Sequence, residues 1–158
     1  MKHILSLLLL IGVINMVQAE EQGIIGKILE DGFPVIYSFD NELPSAEVIE
    51  DFPTLVVIKW KYDGSNKNGF PTEEVKAQIY KLEEELNKLA DQEVSFRAYA
   101  RTGNGLREFV YYTVDQPMFL HFLNQALAEH PKYPLDIVFY QDPEWSDYKN
   151  LMADFKNG

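Results

Sequence analysis

Arg97, Tyr99 and Arg101 stand two apart in a stretch, Val94 to Arg101, that alternates apolar and polar residues. Residues i and i+2 of an extended strand share a face, so this spacing predicts two guanidinium groups flanking one phenol. Val94, Phe96, Ala98 and Ala100 then face the other way. Forked cations beside an aromatic ring suit a carboxylate, a phosphate or an acidic segment of a partner. The plainer reading is a solvated face of Arg–Glu pairs, each contributing about 0–1 kcal/mol. Arg107 and Glu108 follow across the Thr102-Gly103-Asn104-Gly105 turn, and one or the other shares that face, depending on register. Trp60 and Tyr62 keep the parity of Thr54, Val56 and Ile58. They read either as core packing or as an aromatic wall for a ligand, since Trp and Tyr dominate binding hot spots.

Other chemistries find less support. The 158 residues include no cysteine, which excludes disulfides, thiolate metal sites and a thiol nucleophile. His121 and His130 are not at the i, i+4 spacing of a helical metal pair and no HExxH occurs, so neither a metal nor a cofactor is expected. No GxSxG marks a serine hydrolase, and no glycine-rich loop precedes a helix. Asp63 to Gly69 is rich in side-chain oxygens but lacks the alternating acids and closing glutamate of a calcium loop; turn chemistry accounts for it. Acidic pairs such as Glu83-Glu84-Glu85 are ordinary in a chain with 25 acids. With 14 Lys+Arg against 25 Asp+Glu, the net charge of −11 argues against nucleic acid as the ligand.

Two functional classes remain. One is a non-enzymatic binding module for a protein or peptide. The alternative is a hydrolase-type enzyme with Glu108 or Asp142 as general base and Arg101 or Arg107 as electrostatic stabiliser. The missing catalytic set favours the first, and no catalytic residue is assigned.

The elements that must hold these residues begin after a leader. Met1-Lys2-His3 is a short basic start, Ile4 to Val17 an apolar run, and Val17-Gln18-Ala19 ends in small residues, so 1–19 reads as a cleavable secretory signal. The run is shorter than the ~20 residues that a spanning helix needs. Cleavage after Ala19 leaves 13 basic against 25 acidic residues, a charge of −12. The mature protein is expected to be soluble, periplasmic or extracellular, free of the membrane, and partnered by an exported protein or peptide of unknown identity. Residues 20–32 form a flexible leader or a loosely held strand, and 33–158 a single α+β domain.

Phe33 to Phe39 reads as a strand, Asn41 to Glu50 as a loop with a short helical turn, and Thr54 to Tyr62 as the clearest strand. After the Asp63–Pro71 loop, Thr72 caps a helix whose Val75, Ile79, Leu82, Leu86 and Leu89 fall on one stripe. Val94 to Arg101 and Leu106 to Val114 form a hairpin. A helix from Gln116 to Ala128 follows, then a strand from Leu135 to Tyr140 and a helix from Trp145 to Phe155, with Asp142 as cap, Pro143 in the first turn and Trp145 packing back. The order from Thr54 is the ferredoxin-like βαββαβ sandwich, an antiparallel sheet with both crossover helices on one face, plus an N-terminal strand and a C-terminal helix. An open opposite face is the expectation, unless the Phe33 strand, the terminal helix or a partner covers it.

Phe52-Pro53-Thr54 through Tyr62, Asn68-Gly69-Phe70-Pro71, Leu82 to Leu86, Thr102 to Tyr112, and Tyr133-Pro134-Leu135-Asp136 to Asp142-Pro143-Glu144-Trp145 resemble, in order, the domain of unknown function 695 family. The resemblance covers about residues 50–148. Phe109 departs from the tryptophan expected in many members. The family has no established activity, so the resemblance implies no catalytic residue. The chain is more distantly similar to the inhibitory regulators of ribonuclease E, which are acidic proteins of similar layout. That similarity would imply a protein-binding inhibitor, but an exported chain would not meet a cytoplasmic ribonuclease.

Overall fold

Runs of β-branched and aromatic residues in period-two alternation put much of the chain into one sheet. The computed structural model describes residues 23–65 and 67–156 in full, and the backbone alone of 4–9, 13–18 and 157. The strands are β1 (Ile4–Leu9), β2 (Val13–Gln18), β3 (Gly23–Glu30), β4 (Phe33–Asp40), β5 (Thr54–Lys61), β6 (Ser95–Gly103), β7 (Leu106–Thr113) and β8 (Leu135–Gln141). The helices are α1 (Ala46–Asp51), α2 (Glu73–Asp91), α3 (Gln116–Ala126) and α4 (Ser146–Asn157). The sheet order is β1-β2-β3-β4-β6-β7-β5-β8, antiparallel throughout. The expected cleavage point at Ala19 lies outside the described residues. The six strands from Gly23 onward carry all of the side-chain packing described below.

Within that sheet β6-β7-β5-β8 is the interleaved order of two split βαβ units. Their crossover helices α2 and α3 lie on the same side, where Ile79, Leu82, Leu86 and Leu89 of α2 and Phe119 and Leu123 of α3 meet Val56, Ile58, Trp60, Phe109 and Tyr111. Local chemistry sets both helix starts: Thr72 accepts the Val75 N–H at 3.3 Å, and Asp115 accepts the Met118 N–H at 2.8 Å. The stretch expected as a leader or loosely held strand is the strand β3. It is joined to β4 by Asp31-Gly32, whose φ values of 52° and 81° suit the mirror-image turn of a tight hairpin. Asn104-Gly105, at 50° and 75°, does the same for β6 and β7.

The opposite face is not open. Trp145, Tyr148 and Phe155 bring the terminal helix onto Phe39, Leu55, Ala98, Val110 and Tyr112, a second core as real as the first. Trp145 is fully buried, stacks on Tyr112 at 4.0 Å and 7°, and donates its indole N–H to the Phe52 carbonyl at 2.9 Å. The Tyr148 hydroxyl donates to the Asp40 carbonyl at 2.5 Å. Asp142 accepts the N–H groups of Ser146 and Asp147 at 2.9 and 3.0 Å. Helix geometry therefore starts after Trp145, which turns the chain at φ 56°, and not at Pro143. The terminal helix is the element that overturns the expected open face: its aromatic stripe supplies the cover. What the helices leave bare is the α2 side of the β3–β4 hairpin, where Ile25, Lys27, Ile36 and Ser38 share a face beside α2.

Candidate binding groove

The expected triad of Arg97, Tyr99 and Arg101 is split by a β-bulge. Arg97 pairs with Tyr111 and Tyr99 with Val110, so Ala98 is an extra residue that shifts the register. Tyr111 belongs to the α2-side core and Val110 to the α4-side core. Arg97 accordingly points to the α2 side, whereas Tyr99 and Arg101 point to the α4 side.

On the α4 side the groups are spent on structure. Arg101 is 6% exposed, holds Glu30 at 2.7 Å, and donates to the carbonyls of Gly103 and Leu106 at 3.1 and 3.3 Å. It thereby ties the β3–β4 hairpin to β6 and β7. The Tyr99 hydroxyl donates to Asp147 at 2.8 Å, and burial, reinforced by that carboxylate, pushes it far above the ordinary phenol range. Glu108 stands directly across from Arg101 and Lys59. Burial raises its carboxyl, opposed in part by those two cations. Asp142 is committed to the α4 start and to the Tyr112 hydroxyl at 2.7 Å. On the α2 side, Trp60 is 2% exposed and packs on Tyr133 at 5.1 Å within the first core. The Tyr62 hydroxyl closes the 63–71 loop by donating to the Gly69 carbonyl at 2.7 Å.

Arg107 lies on the α2 side, opposite Trp60 and Thr102. Its guanidinium rests over the Phe109 ring at 4.7 Å, donates from Nη1 to Thr102 Oγ1, and pairs through Nη2 with Glu83 of α2. Burial lowers its pKa from the usual value, with Glu83 acting against that shift. The Nε–H is buried and has no hydrogen-bond partner among the described residues. On one side of this pair opens a cavity of about 410 Å³ with Ile36, Phe70, Pro71, Ile79 and Tyr80 as apolar lining and Lys67, Lys76, Glu73, Thr102 and Arg107 as polar lining. On the other side is a more polar cavity of about 270 Å³, lined among others by Ile25, Ser38, Glu83, Asn87 and Arg97. There Arg97 donates to Ser38 Oγ at 3.1 Å. Arg107 lines the first cavity and Glu83 the second, so the ion pair is the partition between them. Together they make a groove between α2 and the β4 surface. The α2 wall from Glu73 to Asn87 is ~21 Å long at 1.5 Å per residue.

Of the residues singled out in the sequence, the groove gathers Arg97 and Arg107; Trp60, Tyr62, Tyr99, Arg101 and Glu108 are placed elsewhere. It also enlists Lys67, Lys76, Tyr80 and Glu83, which sequence reasoning passed over. Tyr80 carried a signal: it is the one aromatic residue of α2 and stands on the polar flank, 51% exposed, with Lys76 over its ring. Among the described residues no cluster of His, Asp and Glu is arranged to hold a metal ion, and no helix is long and apolar enough to cross a membrane.

The model of a family of unknown function, DUF695, matches residues 28–152. The chain belongs to this family. No curated protein and no solved structure matches it. The DUF695 match begins inside β3 and ends inside α4, so it takes in the βαββαβ unit and the buried residues of the second core other than Phe155. All the lining residues of the larger cavity fall within it.

Proposed function

We propose that this DUF695 protein is an exported, non-enzymatic module that binds a peptide segment of another exported protein in the groove along α2. The observation that carries this reading is the 410 Å³ cavity, within the size range of ligand sites, with an apolar floor and walls that hold Lys67, Lys76 and the Glu83-paired Arg107 against the one carboxylate of Glu73, on a chain of net charge −11. Export rests on the basic, apolar and small-residue succession of 1–19. The hydrolase alternative is not favoured: Glu108 does face Arg101, but that guanidinium is buried and held by Glu30 and two carbonyls, Arg107 is on the other side of the sheet, and Asp142 serves the α4 start.

Titration of the ¹⁵N-labelled protein with pools of acetylated, amidated octapeptides tests the groove. Amide shifts centred on Ile36, Lys76, Tyr80 and Thr102 are expected. Pools that shift nothing, or that shift α4 and β8 instead, would overturn the reading. N-terminal sequencing of the exported fraction should begin at Glu20; retention of Met1 in a cytoplasmic product would refute export.

A further inference from the structure

We infer that the groove's ligand is an extended segment with an apolar side chain in the larger cavity and, two residues along, an acidic side chain that takes Glu83's place on Arg107. This deepens the peptide-groove reading and rests on it. The larger cavity can seat one aromatic or branched side chain between Ile36, Phe70, Ile79 and Tyr80.

Arg107 supplies the second half of the recognition. A guanidinium has five donors in a rigid fork, and here Thr102 engages one amino group and Glu83 the other, through a single carboxylate oxygen. Nε and Nη2 form the side-on edge of the fork, which matches both oxygens of one carboxylate. Glu83 leaves the Nε half of that edge unmet. Because Nε is buried while the pair is intact, a ligand carboxylate engages both only as Glu83 swings off the fork, and it then holds Arg107 on better terms than Glu83 does.

Placement decides which carboxylate. The Arg107–Glu83 pair lies where the two cavities join, with lined space on either side. A chain reaching Arg107 therefore continues in both directions, which selects an internal Asp or Glu over a free C-terminus. Side chains of an extended ligand that enter the same groove are two residues apart, ~7 Å along the chain. That step separates apolar anchor from acid. Lys67 and Lys76 beside the larger cavity outnumber Glu73 there and add attraction for an acidic segment on a surface that otherwise repels one.

The test compares three octapeptides by calorimetry against the full chain purified from the exported fraction. One carries Phe-Ser-Glu at its centre between Gly and Ser residues, with both ends blocked. The second carries Phe-Ser-Gln, and the third carries Phe-Ser-Gln with a free C-terminal carboxylate. The Glu peptide is expected to bind about tenfold tighter than its Gln counterpart, the scale of one charge-assisted hydrogen bond. Glu83→Gln, which removes the internal competitor, should tighten the Glu peptide further, while Arg107→Lys should abolish the Glu-over-Gln preference. Equal binding of Glu and Gln peptides, or preference for the free C-terminus, overturns the inference while leaving the groove standing. Weaker Glu-peptide binding by Glu83→Gln also overturns it, and does not depend on how Arg107→Lys folds. Failure of every peptide pool to shift the groove amides would instead remove the reading beneath it.

Discussion

Replacing Trp145 with alanine tests whether the terminal helix is an integral layer. The indole is fully buried, stacks on Tyr112, touches Phe96 at 5.1 Å and Tyr148 at 6.4 Å, and donates to the Phe52 carbonyl. Truncating a buried tryptophan costs about 3–5 kcal/mol, a large share of the roughly 5–15 kcal/mol that holds a domain folded. With a urea dependence of about 2 kcal/mol per molar, the unfolding midpoint should fall by about 2 M. Tryptophan fluorescence is a suitable assay, because Trp60 remains as the sole indole and sits in the other core. A single transition, shifted to lower urea and reported by Trp60, is the expected result, since a loss on one side of a shared sheet destabilises both. A shift under about 0.5 M would show that the indole is not packed as described. An unchanged Trp60 transition with early loss of helical signal would show that α4 folds apart from the sheet. Either outcome would restore the bare face that the sequence led one to expect.

Other perturbations address single groups. Burial raises the Asp142 carboxyl, but hydrogen bonds from the Tyr112 hydroxyl and the Asp147 and Ser146 amides more than offset this and hold it below its ordinary value. A depressed carboxyl stabilises the fold above its unfolded pKa and ceases to do so as pH falls through the folded one. Asp142→Ala should therefore lower stability at pH 7 by about 2 kcal/mol, with the gap from the parent closing in strong acid; a gap independent of pH would refute the assignment. Glu108 has the opposite sign: burial raises its carboxyl, so its favourable contribution is present in acid and lost as pH rises through the folded pKa. Glu108→Gln should raise the melting temperature at pH 7 and leave it near the parent's in acid, whereas a lower one at pH 7 would mean that Arg101 and Lys59 dominate. At Gly103, φ is 146° and an added Cβ would lie 2.4 Å from the Pro34 carbonyl oxygen. Gly103→Ala should cost at least about 2 kcal/mol in a denaturant titration and loosen β4 from β6; parent-like stability would contradict that close approach.

The βαββαβ layout was legible because its signals are local. The α2 stripe, the Thr72 cap, the β-branched run of β5 and the Asn-Gly turn each act within a few residues, and their order leaves few topologies. The β3–β4 hairpin carried an equally local signal in Asp31-Gly32, but the polar, glycine-rich surroundings of β3 masked it. The bulge at Ala98 was not legible. Nothing in Arg97-Ala98-Tyr99 marks an inserted residue, and an alternation rule assumes that there is none. For the same reason the arginine set looked like one patch. The groove depends on where α2 stops relative to the β4 surface, a distance set by packing between segments far apart in sequence. Only the odd position of Tyr80 hinted at it.

The extra residue at Ala98 sets Arg97 and Tyr99, two apart in the chain, on opposite faces, with Arg97 turned to the groove and Tyr99 and Arg101 to the α4 side. Deleting it would leave Arg97 opposite Tyr111 and Tyr99 opposite Val110 in an unbroken ladder, so Arg97 would keep its side. A relative one residue shorter here would keep both its fold and the cationic end of the groove, and lose only the local twist of the bulge. The facing of each β6 residue is thus set by the β7 residue it pairs with, and not by counting letters along β6.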